Sequence, residues 1–239
     1  VTIPAGSAST YFYVTGVDLT NGTPVTIDAT ATGYTAPATK LATSVAAPVF
    51  NFNSLDINRS PSSARDNFSI YVTTPGAYYS GSQTAAVDMP INLSVTAANP
   101  TGIVDGFYSA QTAGAAVTQV ILRANNTYSD TAYVGVPTAA GSYQVQATAT
   151  GVATATSALV NVTSPELRFS TTSVTVGKGL KTYYYEVYVY RAVNGTSFNG
   201  SDALTVNLVS SDATKASVPA TVTIPAGSAS TYFYVTGVD

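Results

Sequence analysis

The side chains that perform most protein chemistry are scarce in this sequence. It has no His and no Cys, which removes imidazole bases, thiolate nucleophiles and the common transition-metal ligands together. Its twelve carboxylates are scattered, with no close pair of the kind that cleaves a glycosidic bond. Asp18 with Asn21, and Asp28, Asp56 or Asp105, are the oxygen donors that could hold Ca²⁺ at a junction between modules. None belongs to a dense cluster of alternating Asp, so a turn-capping or solvated carboxylate is the simpler reading of each. The expectation is a protein that is not an enzyme and carries no cofactor.

Two covalent chemistries remain open. An intramolecular Lys–Asn isopeptide bond needs a buried acid beside its Lys. Residues 49–163 contain no Lys, while Lys40, Lys178, Lys181 and Lys215 lie outside that stretch. Glu186, one of only two Glu, falls on an outward strand face, which argues against the bond. The second chemistry is N-glycosylation. N-x-Ser/Thr sequons occur at Asn21, Asn58, Asn67, Asn92, Asn125, Asn161, Asn194 and Asn199, about twice what the Asn, Ser and Thr content yields by chance. On a secreted protein these are surface acceptors. Asn and Thr also favour turns and strand edges, which accounts for part of the excess.

Non-covalent chemistry points to tyrosine, of which there are 17. In the run from Tyr183 to Tyr190, alternation places Tyr184, Tyr188 and Tyr190 on one face with Glu186. Exposed aromatic stripes bury against a neighbouring chain or stack on sugar rings. A ring that merely covers its own sheet is the competing explanation.

The elements that must position these residues are strands. Val187 and Val189 alternate with Glu186, Tyr188 and Tyr190, and Phe68, Ile70 and Val72 alternate with Asn67, Ser69 and Tyr71. Tyr143 and Val145 alternate with Gln144 and Gln146, and Phe12 and Val14 are expected inward with Tyr11 and Tyr13 outward. Turn signals such as Pro4-Ala5-Gly6, Asn21-Gly22, Pro75-Gly76, Asn194-Gly195 and Asn199-Gly200 recur at short intervals. No 3.6-residue periodicity competes with this pattern. The chain is therefore expected to be all-β.

Internal identity sets the organisation. Residues 1–18 and 222–239 both read VTIPAGSASTYFYVTGVD, a period of 221 residues, which is long enough to hold whole domains. A fainter division lies within it. Pro48-Val49-Phe50-Asn51-Phe52 aligns with Pro165-Glu166-Leu167-Arg168-Phe169, Ile91-Asn92-Leu93 with Val206-Asn207-Leu208, and Tyr13-Val14 with Tyr133-Val134. Ala29-Thr-Ala-Thr-Gly33 is repeated as Ala147-Thr-Ala-Thr-Gly151. Two related immunoglobulin-like β-sandwiches per period follow, each of about 100 residues. Residues 49–163 form a complete one. Residues 165–239 form the N-terminal part of another, and 1–46 the C-terminal part of a third that a neighbouring repeat completes. The duplicated eighteen residues favour a window in one long polypeptide over strand exchange between subunits.

The run Leu204-Thr-Val-Asn-Leu-Val-Ser-Ser-Asp212, then Ala216-Ser-Val-Pro219, then VTIPAGSASTYFYVTGV and Val25-Thr-Ile-Asp-Ala-Thr-Ala-Thr-Gly-Tyr34, resembles bacterial immunoglobulin-like (Big-type) repeats. The resemblance covers 165–239 with 1–46 well and 49–163 loosely. It implies modules strung end to end in surface proteins, adhesins and secreted enzymes, and it carries over no catalytic residue.

Charge and hydropathy bound the partners. Charged residues are only 9% of the chain and net charge is −3, so nucleic acid has no basic patch to bind. No apolar run reaches the ~18–20 residues of a membrane helix. The expected role is a structural repeat of an extracellular fibre, sheath or surface stalk, whose partners are other copies of itself, with glycans as a second candidate class. An adhesin stalk or a carbohydrate-binding module of a large secreted protein is the alternative.

Overall fold

The structure is a computed structural model that describes residues 1–77, 83–99, 103–184 and 186–238. Among these residues every regular element is a strand and there is no helix, so the all-β expectation holds. The first strands, β1 (Val25–Ile27) and β2 (Leu41–Thr43), pair only with each other, in antiparallel register Val25↔Thr43. Then follow β3 (Val49–Asn53), β4 (Asn58–Arg59), β5 (Asp66–Thr73), β6 (Met89–Asn99), β7 (Phe107–Tyr108) and β8 (Ala116–Val117). The central run ends with β9 (Gln119–Leu122), β10 (Ala132–Val134), β11 (Gly141–Ala149), β12 (Val152–Thr156) and β13 (Val160–Val162).

These central strands form two sheets. One has the order β3-β5-β10-β7-β8; the other runs β4-β13-β11-β6-β9, with β12 on β11. The alternation read from sequence is what packs them. Phe68, Ile70 and Val72 of β5 are buried, as are Tyr143, Val145 and Ala147 of β11, each of the latter wholly enclosed. Phe50, Phe107 and Val134 add to the first inner face, and Ile91, Leu93, Leu122, Val160 and Val162 to the second. The result is a two-layer sandwich with one continuous apolar core.

The remaining strands are β14 (Glu166–Phe169), β15 (Val187–Val193), β16 (Thr196–Ser197), β17 (Leu204–Asn207), β18 (Ala216–Ser217), β19 (Thr221–Ile224), β20 (Ser230–Phe233) and β21 (Thr236–Gly237). Here β15 is flanked by β14, β16 and β20, while β17 pairs with β19 and β18 with β21. Their core is small: Val187, Val189, Val206, Leu208, Ile224 and Phe233.

The two copies of the eighteen-residue segment adopt different structures. Residues 222–239 supply most of β19 and all of β20 and β21, with Phe233 buried between half-buried Tyr232 and Tyr234. Residues 1–18 contain no strand. The inward Phe12 and Val14 expected from the alternation are 49% and 47% exposed. They remain less exposed than Tyr11 and Tyr13, at 79% and 87%, so the alternation persists without a sheet to bury it. Alternation states which face is apolar; only a neighbouring layer makes that face an interior.

Candidate functional site

β15 presents its two faces as the alternation requires, with Val187 and Val189 buried and Tyr188 and Tyr190 half-buried on the opposite side. β20 pairs with it in the register Tyr188↔Tyr232, so a second pair of tyrosines joins the same face. The rings form a connected surface. Tyr188 and Tyr190 lie 5.9 Å apart between centroids, Tyr188 and Tyr232 6.4 Å, and Tyr232 and Tyr234 5.9 Å. Tyr184 packs edge-on against Tyr232 at 4.9 Å. The Lys181 ammonium sits 4.5 Å from the centre of the Tyr234 ring, within cation–π range.

The predicted stripe of Tyr184, Tyr188 and Tyr190 is thus part of a larger face. Glu186 is exposed as expected, and its Oε2 accepts a hydrogen bond from the Tyr183 N–H at 2.9 Å. Tyr185, within the same run, lies outside the described residues. Tyr232 and Tyr234 were legible as outward tyrosines through their copies at Tyr11 and Tyr13. Their place beside Tyr188 was not, because strand neighbours 44 residues apart, as Tyr188 and Tyr232 are, leave no local signal.

A second arrangement links the chain around one apolar core to the chain around the other. Residues 60–64 lie against the 194–201 hairpin. The Ala64 N–H donates to the Asn199 carbonyl at 2.7 Å, the Ser201 N–H to the Ser62 carbonyl at 2.8 Å, and Ser63 bridges Gly200. Asn194 Nδ2 donates to Asn58 Oδ1 at 3.2 Å beside them. A buried arginine stands behind each side of this seam. Arg59 donates to the carbonyls of Gly135 (3.0 Å) and Ala64 (2.6 Å) and to the Tyr143 hydroxyl (2.7 Å). Arg191 Nη2 donates to the carbonyls of Asp202, Ile224 and Pro225 at 2.6, 3.0 and 3.3 Å. Each guanidinium therefore ties distant loops to its own core and fixes the loop that meets the other. Near Arg59, burial pushes the Asp66 carboxyl up to about 6, although the Asp56 N–H donates to it. Neither arginine carries a local sequence signal, since burial of a cation depends on carbonyls that only the fold collects.

The remaining candidates are dispersed. Of the sequon residues, Asn21, Asn67, Asn92, Asn125, Asn161, Asn194 and Asn199 are exposed and Asn58 is half-buried. Asn21, Asn125 and Asn194 have φ of 49°, 65° and 47°, the left-handed conformation that Asn tolerates better than most side chains. Among the described residues no three carboxylates, His or Cys come together as a metal site. Asp28 instead pairs with Lys40 at 2.9 Å, Asp18 caps the Leu19 N–H, and Asp105 accepts from the Tyr108 hydroxyl, which that bond pushes up. Lys215 pairs with Asp212 at 3.3 Å, and Lys178 joins Gly237 through a backbone bridge. A groove of about 560 Å³ runs between β19 and β20 and includes Val218, Pro219, Val222 and Phe233. Its lining holds no carboxylate, Lys or Arg. No described helix is long and apolar enough to cross a membrane.

No family model matches the chain, and no curated protein matches it. Among solved structures the chain is similar to the Yersinia pseudotuberculosis adhesin InvE, at 13% identity and a TM-score of 0.25. The match covers 80% of this chain and spans half the length of the adhesin.

Proposed function

We propose that this chain is a structural repeat of an extracellular stalk, fibre or sheath, built from immunoglobulin-like sandwiches of the bacterial type set end to end. The observation that carries the reading is the hydrogen-bonded seam between the two cores, in a sequence that begins a second period letter for letter. A spacer needs little more than repetition and stiff junctions. Backbone bonds through Ala64 and Ser201, backed by Arg59 and Arg191, restrain bending at the junction. The chain does no catalysis on this reading, and its surface of Ser, Thr and Tyr suits solvent and neighbouring copies. Immunogold labelling of thin-sectioned cells tests it: signal along surface projections is expected, and signal confined to the cytoplasm overturns it.

A second reading has its own observation. The tyrosine face from Tyr184 to Tyr234 is a platform of the kind that stacks on sugar rings. A carbohydrate-binding module would lose glycan retention on Tyr188→Ser and Tyr232→Ser together, whereas a spacer would lose lateral association instead. A glycan array and sedimentation of the same double variant separate the two.

A further inference from the structure

The central sandwich shows which strand the smaller one lacks. β6 is paired on both edges, with β9 on one side and with β11 on the other over the register Ser142↔Asn99 to Thr148↔Asn92. β17 is the counterpart of β6, since Val206-Asn207-Leu208 aligns with Ile91-Asn92-Leu93. Its pairing with β19 repeats that of β6 with β9. The Leu208 N–H donates to the Ala220 carbonyl at 2.9 Å, just as the Leu93 N–H donates to Thr118 at 2.9 Å. Yet β17 belongs to a two-strand sheet, and its other edge carries no strand among the described residues. Since Leu208 faces β19, alternation turns the Thr205, Asn207 and Val209 amides to that open edge. Val209 is 90% exposed and Leu204 37%.

The sequence that fits this edge is in the chain, at the other end. Ala29-Thr-Ala-Thr-Gly33 aligns with Ala147-Thr-Ala-Thr-Gly151, which sets residues 23–31 against β11. Val25, Ile27 and Ala29 then fall on Tyr143, Val145 and Ala147, three side chains that β11 buries completely. In the present structure Val25 is 55% exposed and Ala29 is exposed, and β1 pairs only with β2. An isolated two-strand hairpin is marginal in water. The hairpin is nevertheless closed as a unit, because the Thr20 N–H donates to the Val45 carbonyl at 3.1 Å and Thr20 Oγ1 accepts the Val45 N–H at 3.1 Å.

We infer that the open edge of β17 is a docking site for residues 19–46 of a second copy of the repeat, with residues 23–31 added as a strand in the register of β11 on β6. Ala29 then lies opposite Leu208 and Thr30 opposite Asn207, and the apolar side chains of β1 close the small core around Val206 and Leu208. The inference rests on the chain being a repeat unit, and it names how one unit joins the next. The copy of residues 1–18 at 222–239 supplies the continuity: Asp239 stands where Asp18 precedes Leu19.

The test appends residues 19–46 after Asp239 of the full chain and follows amide hydrogen exchange by residue. Exchange at Thr205, Asn207 and Val209 is expected to slow at least about tenfold relative to the unextended chain, and Ile27→Asp in the appended copy is expected to restore the fast rates. Unchanged exchange in the extended chain overturns the inference, and so does protection that survives the Asp substitution. Cell-surface labelling is independent of this edge, so failure here leaves the stalk reading standing, and failure there leaves the edge result intact.

Discussion

The Tyr143 hydroxyl accepts a hydrogen bond from Arg59 Nη1 at 2.7 Å, with both side chains buried. The bond ties β11, in the middle of its sheet, to the short β4 at the edge, and from there to the seam through the Ala64 carbonyl. Tyr143→Phe leaves one donor of a buried guanidinium without its partner. A loss of about 1–2 kcal/mol is expected. Arg59→Ala leaves the Gly135 and Ala64 carbonyls and the tyrosine unsatisfied, and should cost about 3–5 kcal/mol. Urea denaturation of the two variants checks the order, and equal losses would show that the guanidinium is held elsewhere.

Gly200 gives a second test of the seam. A Cβ there would overlap the Arg191 guanidinium, which is 3% exposed and clamped by three carbonyls. A flexible arginine on the surface would swing away; this one has nowhere to go without losing its partners. Gly200→Ala is expected to cost about 2–3 kcal/mol and to widen the distribution of angles between the two cores in small-angle scattering.

Strand faces were readable from the alternation alone. Phe68, Ile70 and Val72, and Val187 and Val189, are inward because a period of two leaves each strand one apolar side. The outward face of Tyr188 and Tyr190 follows by the same rule. What alternation cannot encode is which strand lies beside which, and so Tyr232 and Tyr234 joined the tyrosine face only in three dimensions. The arginines were invisible for a related reason: Arg59 and Arg191 carry no local signature, and their burial depends on carbonyls 5 to 76 residues away. Residues 1–18 mark the limit of local reading, since the same letters are coil there and strands at 222–239.

That contrast is measurable. Chymotrypsin cleaves after aromatic residues, and Tyr11 and Tyr13 lie in exposed chain without strand pairing, whereas Tyr232 is paired with Tyr188 in β20. Cleavage after Tyr11 and Tyr13 is expected well before cleavage after Tyr232 and Tyr234. Mass spectrometry of early digests separates the two copies through their flanking sequences, and simultaneous cleavage would show that β20 is no more ordered than the N-terminal copy.

Tyr188 and Tyr232 sit opposite each other across β15 and β20 with rings at 6.4 Å. Cross-strand aromatic pairs contribute beyond their separate burial. A double-mutant cycle with Tyr188→Ser and Tyr232→Ser should return a coupling of about 0.5–1 kcal/mol. A coupling near zero would mean that each ring packs on its own strand and that the face is not one surface.

Asp66 predicts an inverted response to acid. Burial lifts its carboxyl from 3.8 to about 6, with the nearby Asp56 charge adding to the rise and Arg59 opposing it. Between those two values the folded protein holds a proton that the unfolded chain has released. Acid therefore favours folding in this window, and stability falls as pH rises from about 4 to about 6. The difference is on the order of 3 kcal/mol at about 1.4 kcal/mol per pKa unit. Asp66→Asn keeps an oxygen for the Asp56 N–H and carries no charge at any pH, so its stability should be nearly flat over the same range and should exceed that of the parent at pH 7. Denaturation midpoints of both proteins at pH 4, 5, 6 and 7 provide the check. A parent that gains stability toward pH 7, or a variant that follows the parent's slope, would place the titration outside Asp66.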